Sequence, residues 1–324
     1  MKTKKIGLVG IYFPGAYDAL HENVPEGFEL VDALSPEAYG NLADCEYLIS
    51  RLDIDPDIIN HTPNVKFWQR WGAGFDHVDL KAWGERGIPI ATCPGVNSGI
   101  VAELAIMLML AGYRNLLQIN RQLRAGHWPR TEYFGRSFMI KGKTVGVLGL
   151  GHIGKKVAAL ASAFGANVIY YDIVRQPEQE EQFGYRFVDF DTLLKESDIF
   201  TIHCPLNEET RGMIGAAQFA KMKPTAMLIN TARGPIVDEA SLVDALTTGK
   251  IATAGLDTYE HEPLPKDHPL LMLDNVVASA HAGGNTKDND INMVNYVYHN
   301  IVAFDRGEPL NTPGDIVNGE YLKK

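Results

Sequence analysis

The chain lacks most of the features that would set it apart from an ordinary globular fold. Its 324 residues hold only three cysteines, Cys45, Cys93 and Cys204, scattered and with no C-x-x-C pair. That count suits a reducing compartment better than a disulfide framework, so a cytoplasmic protein is expected. No run of about 18 apolar residues is available to cross a bilayer, which argues against a membrane partner. The nearest run, 100–113, is short and carries Glu103. The basic start, Met1-Lys2-Thr3-Lys4-Lys5, is followed by an apolar stretch that Gly7, Gly10 and Pro14 interrupt, so a first strand is expected there rather than a signal peptide. Positive charge is in deficit, with 30 basic against 40 acidic residues and a net charge of −10. Such a balance argues against a nucleic-acid partner. The ten histidines show no metal-ligand spacing, and Glu260-His261-Glu262 cannot converge locally on one ion, so no metal is expected. Internal repeats and low-complexity tracts are missing as well.

What remains is a chain of average polarity, 45% apolar and 22% charged, long enough for about two domains. At this length about three-quarters of the chain's surface can be buried, so the core needs no staple. Short apolar runs at 6–10, 46–51, 65–71 and 88–93, bounded by turn residues, predict buried parallel strands. Ser35-Pro36-Glu37 predicts a helix start, and 79–86 a helix stopped by Gly87. One long helix is expected over 98–122, apolar on every side at 100–110 and therefore buried. The aromatic segment 126–141, with Trp128, Tyr133, Phe134 and Phe138, reads as an interface arm or a covered loop, with the interface favoured. A second series follows, with strands at 144–148, 167–171, 198–203, 226–231, 251–256 and 275–280. Helices are predicted between them at 155–164, 191–196, 216–221 and 239–248. Strands alternating with helices imply an α/β fold with right-handed crossovers and doubly wound parallel sheets. A last helix, 288–305, precedes Gly307 and Pro309; packing back on the first unit would make that unit discontinuous.

Gly149-Leu150-Gly151-His152-Ile153-Gly154 fits G-x-G-x-x-G between a predicted strand and a predicted helix. In that setting the glycines serve a tight turn, close approach to a pyrophosphate, and close helix–strand packing. The helix N-terminus adds free N–H groups for the anion. Asp172 ends the next strand, 21 residues past Gly151, the offset of the acid that binds an adenosine ribose. Its carboxylate would repel a 2′-phosphate, which predicts NAD(H) over NADP(H); Arg175 is near enough to blur that preference. Arg233, Glu262 and His281 each fall just beyond a predicted strand, and parallel strands share one carboxyl edge where ligands bind. A guanidinium, a carboxylate and an imidazole there form a working set for hydride transfer to a carbonyl carbon. His281 would protonate the nascent alkoxide, Glu262 would fix the other ring nitrogen, and Arg233 would fork onto a 2-oxo acid.

These segments together resemble the D-isomer-specific 2-hydroxyacid dehydrogenase family over nearly the whole chain. The resemblance implies a Rossmann NAD-binding domain (99–286) inserted into a flavodoxin-like substrate domain (1–98 and 287–324), with Arg233, Glu262 and His281 catalytic. To the cofactor it assigns Gly149, Gly151, His152, Ile153, Gly154 and Asp172. It adds the His203-Cys204-Pro205 loop with Thr210, then Thr231, Ala232, His281 and Gly283, and Asp257 for the nicotinamide amide. To the substrate it assigns Arg233, His281 and the backbone N–H groups of Ala73 and Gly74, whose glycine-rich loop suits a carboxylate. Two positions depart from the family pattern: Trp71 is bulky beside that loop, and Ala280 replaces the usual proline before the histidine. Glu262 weighs against a formate dehydrogenase, which has glutamine there, and Ala73 against the phosphite-oxidising branch, which has lysine. A glyoxylate or hydroxypyruvate reductase fits best. 3-Phosphoglycerate dehydrogenase is the nearest alternative, and Arg51 is a candidate for a distal carboxylate or phosphate. An NAD-sensing corepressor keeping the same three residues is the alternative of another class. A homodimer is the default assembly.

Overall fold

The computed structural model describes residues 3–51 and 54–322; Met1 and Lys2 of the basic start lie outside them. Among the described residues, twelve strands form two wholly parallel sheets, as the alternation of strands and helices implies. The chain divides into one unit of Met1–Asn97 with Asn285–Lys324 and another of Ser98–Gly284.

In the first unit β1 (Lys4–Gly10), β2 (Phe28–Ala33), β3 (Tyr47–Arg51), β4 (Phe67–Arg70) and β5 (Ile90–Ala91) lie in the order β2-β1-β3-β4-β5. β1 has neighbours on both sides, and Ile6, Leu8 and Val9 are fully buried, which is why its sequence does not alternate. β2 sits at the edge and carries Glu29 and Asp32; half-wet edge strands lose the apolar signature, and no run in the sequence predicts it. The expected helix after Ser35 is a 3₁₀ helix, Pro36–Asp44. There the Ser35 hydroxyl donates to the Glu37 carboxylate instead of capping the backbone. Helix Lys287–Arg306 packs Met293, Val294, Val297 and Ile301 into one cluster with Ile6, Leu8, Ile49 and Phe67. Beyond it, Ile316 bridges Ala91 in antiparallel fashion and the Val317 N–H donates to the Ile90 carbonyl, so the outer edge of β5 is covered.

The second unit contains β6 (Thr144–Leu148), β7 (Asn167–Tyr171), β8 (Arg186–Phe187), β9 (Ile199–Ile202), β10 (Met227–Asn230), β11 (Thr253–Leu256) and β12 (Val276–Ala278). Their order is β12-β11-β10-β9-β6-β7-β8. Strand order reverses between β6 and β9, and the carboxyl ends at that point open the crevice in which doubly wound sheets hold ligands. The single helix expected over 98–122 is instead two, Ser98–Tyr113 and Leu116–Arg124, bent by 63°. The break falls at Asn115, whose φ of 50° lies in the left-handed region that asparagine tolerates. The first of the two buries most of its surface, with Ala102, Ala105, Leu108 and Met109 at 0% exposure, but not every side as its apolar sequence predicts: Met107 is 51% exposed and Glu103 faces solvent. Among the described residues no single helix is long and apolar enough to cross a membrane.

Candidate active site

The glycine turn has the contacts its three roles require. Gly149 has a φ of 89°, and a Cβ there would meet the Cys204 N at 2.7 Å. At Gly154 a Cβ would lie 2.0 Å from the Gly149 carbonyl oxygen, so only glycine lets helix His152–Ala163 close onto β6. A Cβ at Gly151 would meet nothing within 4 Å; it would project into open space at the helix N-terminus, where a pyrophosphate needs the backbone bare. Asp172, at the end of β7, accepts the Leu150 N–H at 2.6 Å and the Val174 N–H at 3.0 Å. The carboxylate is thus fixed beside the glycine turn with lone pairs to spare for ribose hydroxyls. This turn and acid fit a dinucleotide.

Around it, His203 and Cys204 follow β9 and back the Gly149 turn. Burial pushes the His203 imidazole down to about 3 and the Cys204 thiol up to about 11, so both are neutral at working pH. Thr201 Oγ1 meets His203 Nε2 at 2.8 Å, while His203 Nδ1 and Thr231 Oγ1 are buried without a partner among the described residues. The Thr210 hydroxyl donates to the Pro205 carbonyl at 2.7 Å and accepts the Asn207 N–H at 2.8 Å, which shapes the loop itself. Ala232 is buried, and its N–H donates to Asn230 Oδ1.

Beyond β10 the chain bends at Ala232, and Arg233 is extended, with φ −142° and ψ 135°. Asn230, 1% exposed, holds that bend from both ends, accepting from the Ala232 N–H and donating to the Arg233 carbonyl. Gly234 then abuts the Tyr259–Glu260 peptide, which brings the arginine segment against the segment that carries Glu262. Glu262 Oε1 accepts the Tyr259 N–H at 3.0 Å, and its Oε2 lies 2.7 Å from His281 Nδ1. An ionised carboxylate only accepts, so Nδ1 carries the proton and Nε2 is the working atom. Burial works against the Glu262 charge. The His281 hydrogen bond, the Tyr259 N–H and the positive field of Arg233 outweigh it and hold the carboxyl below the usual range. Of the three expected edge residues, Glu262 and His281 are therefore joined directly and Arg233 acts on the pair through its field.

His281 is an unusual residue for its backbone, with φ at 49° in the left-handed region. Asp257, 2% exposed, accounts for it. Its Oδ1 accepts the Ser279 hydroxyl at 2.6 Å and the Ala282 N–H at 2.9 Å, its Oδ2 the Gly283 N–H at 2.9 Å, and its own carbonyl the His281 N–H at 2.7 Å. The Tyr259 hydroxyl adds a bond to the Ser279 carbonyl at 2.8 Å. These bonds supply the rigidity that Ala280 does not. Asn230, Tyr259 and Ser279 escape a reading by sequence, because their work is done by side chains reaching across the fold; only their nearness to strand ends marks them.

In the first unit, the loop after β4 has Gly72 at a φ of 125°, and the Ala73 and Gly74 N–H groups donate to no acceptor among the described residues. Trp71 packs edge-on against Tyr12, with ring centroids 5.8 Å apart, as part of that unit's core. Arg51 ends β3, 7% exposed; its Nη1 donates to the Ile11 carbonyl at 2.9 Å, its Nη2 to Asn285 Oδ1 at 3.1 Å, and its guanidinium stacks on Phe13.

Known proteins resemble this chain in sequence and in fold. The sequence profile described as D-isomer specific 2-hydroxyacid dehydrogenase, NAD binding domain, matches residues 106–283. The chain belongs to that family. As a family member it is an NAD-dependent oxidoreductase that interconverts 2-oxo and 2-hydroxy acids. This dehydrogenase is 38% identical to a glyoxylate reductase of Korarchaeum cryptofilum over 284 residues, 86% of this chain and 85% of that one. It is 42% identical to a D-3-phosphoglycerate dehydrogenase of Archaeoglobus fulgidus over 261 residues, 81% of this chain but 49% of that protein, so it spans about half the length of that relative. Among solved structures, a glyoxylate reductase from Paecilomyes thermophila superimposes with a TM-score of 0.82 at 32% identity, covering 97% of this chain and 99% of the other.

Proposed function

We propose that this dehydrogenase is a glyoxylate or hydroxypyruvate reductase, with Arg233, Glu262 and His281 as its catalytic residues. The observation that carries the reading is the 2.7 Å bond between His281 Nδ1 and Glu262, on the carboxyl edge that also bears the dinucleotide turn. The turn Gly149–Gly154 and Asp172 would hold NADH, which would supply the hydride when bound. Arg233, permanently charged, orients the keto oxygen and carboxylate of the acid and opposes the charge that develops on the oxygen. His281 donates the Nε2 proton to that oxygen, and Glu262 steadies the imidazolium before transfer. Asp257 has about one acceptor site left beyond its three side-chain bonds, enough for a carboxamide N–H of the cofactor. In the first unit, the substrate domain of this reading, the N–H groups of Ala73 and Gly74 are donors for the substrate carboxylate.

A second substrate class is favoured by one observation. Arg51 is a buried cation whose hydrogen bonds go to neutral groups, while the Asp290 carboxylate acts on it through its charge alone. Such a group can receive a distal phosphate, as 3-phosphohydroxypyruvate would bring. Steady-state NADH oxidation on glyoxylate, hydroxypyruvate and 3-phosphohydroxypyruvate separates the two. The expected result is a higher kcat/KM on the first two, with Arg51→Ala changing them less than about threefold. A tenfold or greater preference for the phosphorylated acid, lost in Arg51→Ala, replaces the reductase with the phosphoglycerate dehydrogenase reading.

Assembly as a two-fold dimer is part of the proposal. It is supported by an exposed apolar face on the second unit, with Met107, Leu116, Trp128 and Phe134 each at least 51% exposed. Light scattering on the purified chain is expected to give twice the monomer mass, and a monomer at micromolar concentration removes this part. We place the protein in the cytoplasm, a setting that suits three thiols free of disulfides.

A further inference from the structure

Near the ribose-binding carboxylate a cation is held out of play. Arg175 stands three residues past Asp172, and an arginine near this acid is the group that accommodates a 2′-phosphate in NADP binders. In this chain its Nε donates to Glu180 Oε1 at 2.8 Å and its Nη2 to Glu180 Oε2 at 2.7 Å, the two-pronged pairing that guanidinium makes with carboxylate. Glu180 lies on helix Pro177–Phe183, between β7 and β8, and is fixed in turn by the Tyr170 hydroxyl, which donates to Oε1 at 2.9 Å. The guanidinium also lies 5.6 Å from the ring centroid of Phe187, on β8.

Sheet order gives these contacts their meaning. β7 stands between β6 and β8. The glycine turn follows β6, and Asp172 bonds to it through the Leu150 N–H. Phe187 lies on β8 and the guanidinium sits over its ring, so the cation is drawn to the flank of β7 away from the turn. The Arg175 guanidinium holds the Glu180 carboxyl down at about 2, so the pair stays ionised across the working range.

We propose that Glu180 is a specificity-determining residue: by tethering Arg175 on the β8 side it denies the 2′-phosphate of NADPH its cation, and so reinforces the choice of NADH. The inference rests on the reading that places the ribose at Asp172. Its test therefore uses binding rather than turnover, with NADH and NADPH dissociation constants measured by fluorescence titration of the full chain. Glu180→Ala is expected to tighten NADPH about tenfold, a change of about 1.4 kcal/mol, while NADH stays within about twofold. Glu180→Gln, which keeps the shape of the side chain, is expected to give a smaller gain of the same sign. Arg175→Ala alone is expected to leave NADPH affinity within about twofold, and in the Glu180→Ala background to abolish the gain. An unchanged NADPH constant in Glu180→Ala overturns the proposal. So does a gain that survives in the double variant, since that is mere removal of a negative charge. So does an Arg175→Ala variant that already binds NADPH several-fold more weakly. A wild-type chain that binds neither nucleotide sinks the cofactor reading itself, and the inference with it.

Discussion

His281→Ala is expected to lower kcat for 2-oxo acid reduction by a factor on the order of 10²–10⁴, the span of a positioned general acid. Substrate KM should move much less, because on the proposed reading Arg233 still holds the acid. The cause is geometric. With Nδ1 fixed on Glu262 at 2.7 Å and the backbone fixed by Asp257, the orientation of the ring is set. Steady-state kinetics of NADH oxidation check it, and a loss below tenfold takes the proton-transfer role away from His281. Acid tests the same pair from the other side. The Glu262 carboxyl is held below its usual range, so the stability it lends the loop is fully present above the unfolded value of about 4.3. That stability is lost as pH falls through the lowered folded value.

Gly234→Ala is expected to cost about 10²-fold in kcat/KM, the loss that a misplacement near 1 Å brings to an oriented site. A Cβ there would fall 1.9 Å from the carbonyl carbon and oxygen of Tyr259 and 2.5 Å from the Glu260 nitrogen. All three are backbone atoms, so one segment must shift bodily. Arg233 rides on one of the two segments and Glu262 on the other. Gly151→Ala is the companion measurement: with nothing within 4 Å of its Cβ, it should leave Tm unchanged and weaken only cofactor binding. Calorimetric Tm and kcat/KM for both variants decide the matter. A Gly234→Ala enzyme with wild-type Tm and activity within threefold would show that this close approach does not align the site.

How much of this was legible in the sequence follows from where each signal resides. The glycine turn, Asp172, and the three residues at strand ends are local signals: turn chemistry and a fixed offset from a predicted strand, repeated along a parallel sheet. β2 carries no such signal, since edge position lets Glu29 and Asp32 interrupt its apolar pattern. The bend at Asn115 is hidden for a different reason: apolar periodicity runs straight through it, and only a backbone angle marks the break. Within the site, the left-handed backbone of His281 is invisible because glycine or asparagine would ordinarily announce it. What holds it is Asp257, 24 residues earlier, and no local rule connects the two. The motif for the arginine likewise says nothing of Asn230, whose amide brackets the turn.

The helix Lys287–Arg306 completes the first unit only after the whole of the second has been translated. Until it emerges from the ribosome, Ile6, Leu8, Ile49 and Phe67 have no partner for the face that Met293, Val294, Val297 and Ile301 will cover. The continuous unit can therefore mature first, while the nascent N-terminal sheet waits with an apolar side exposed.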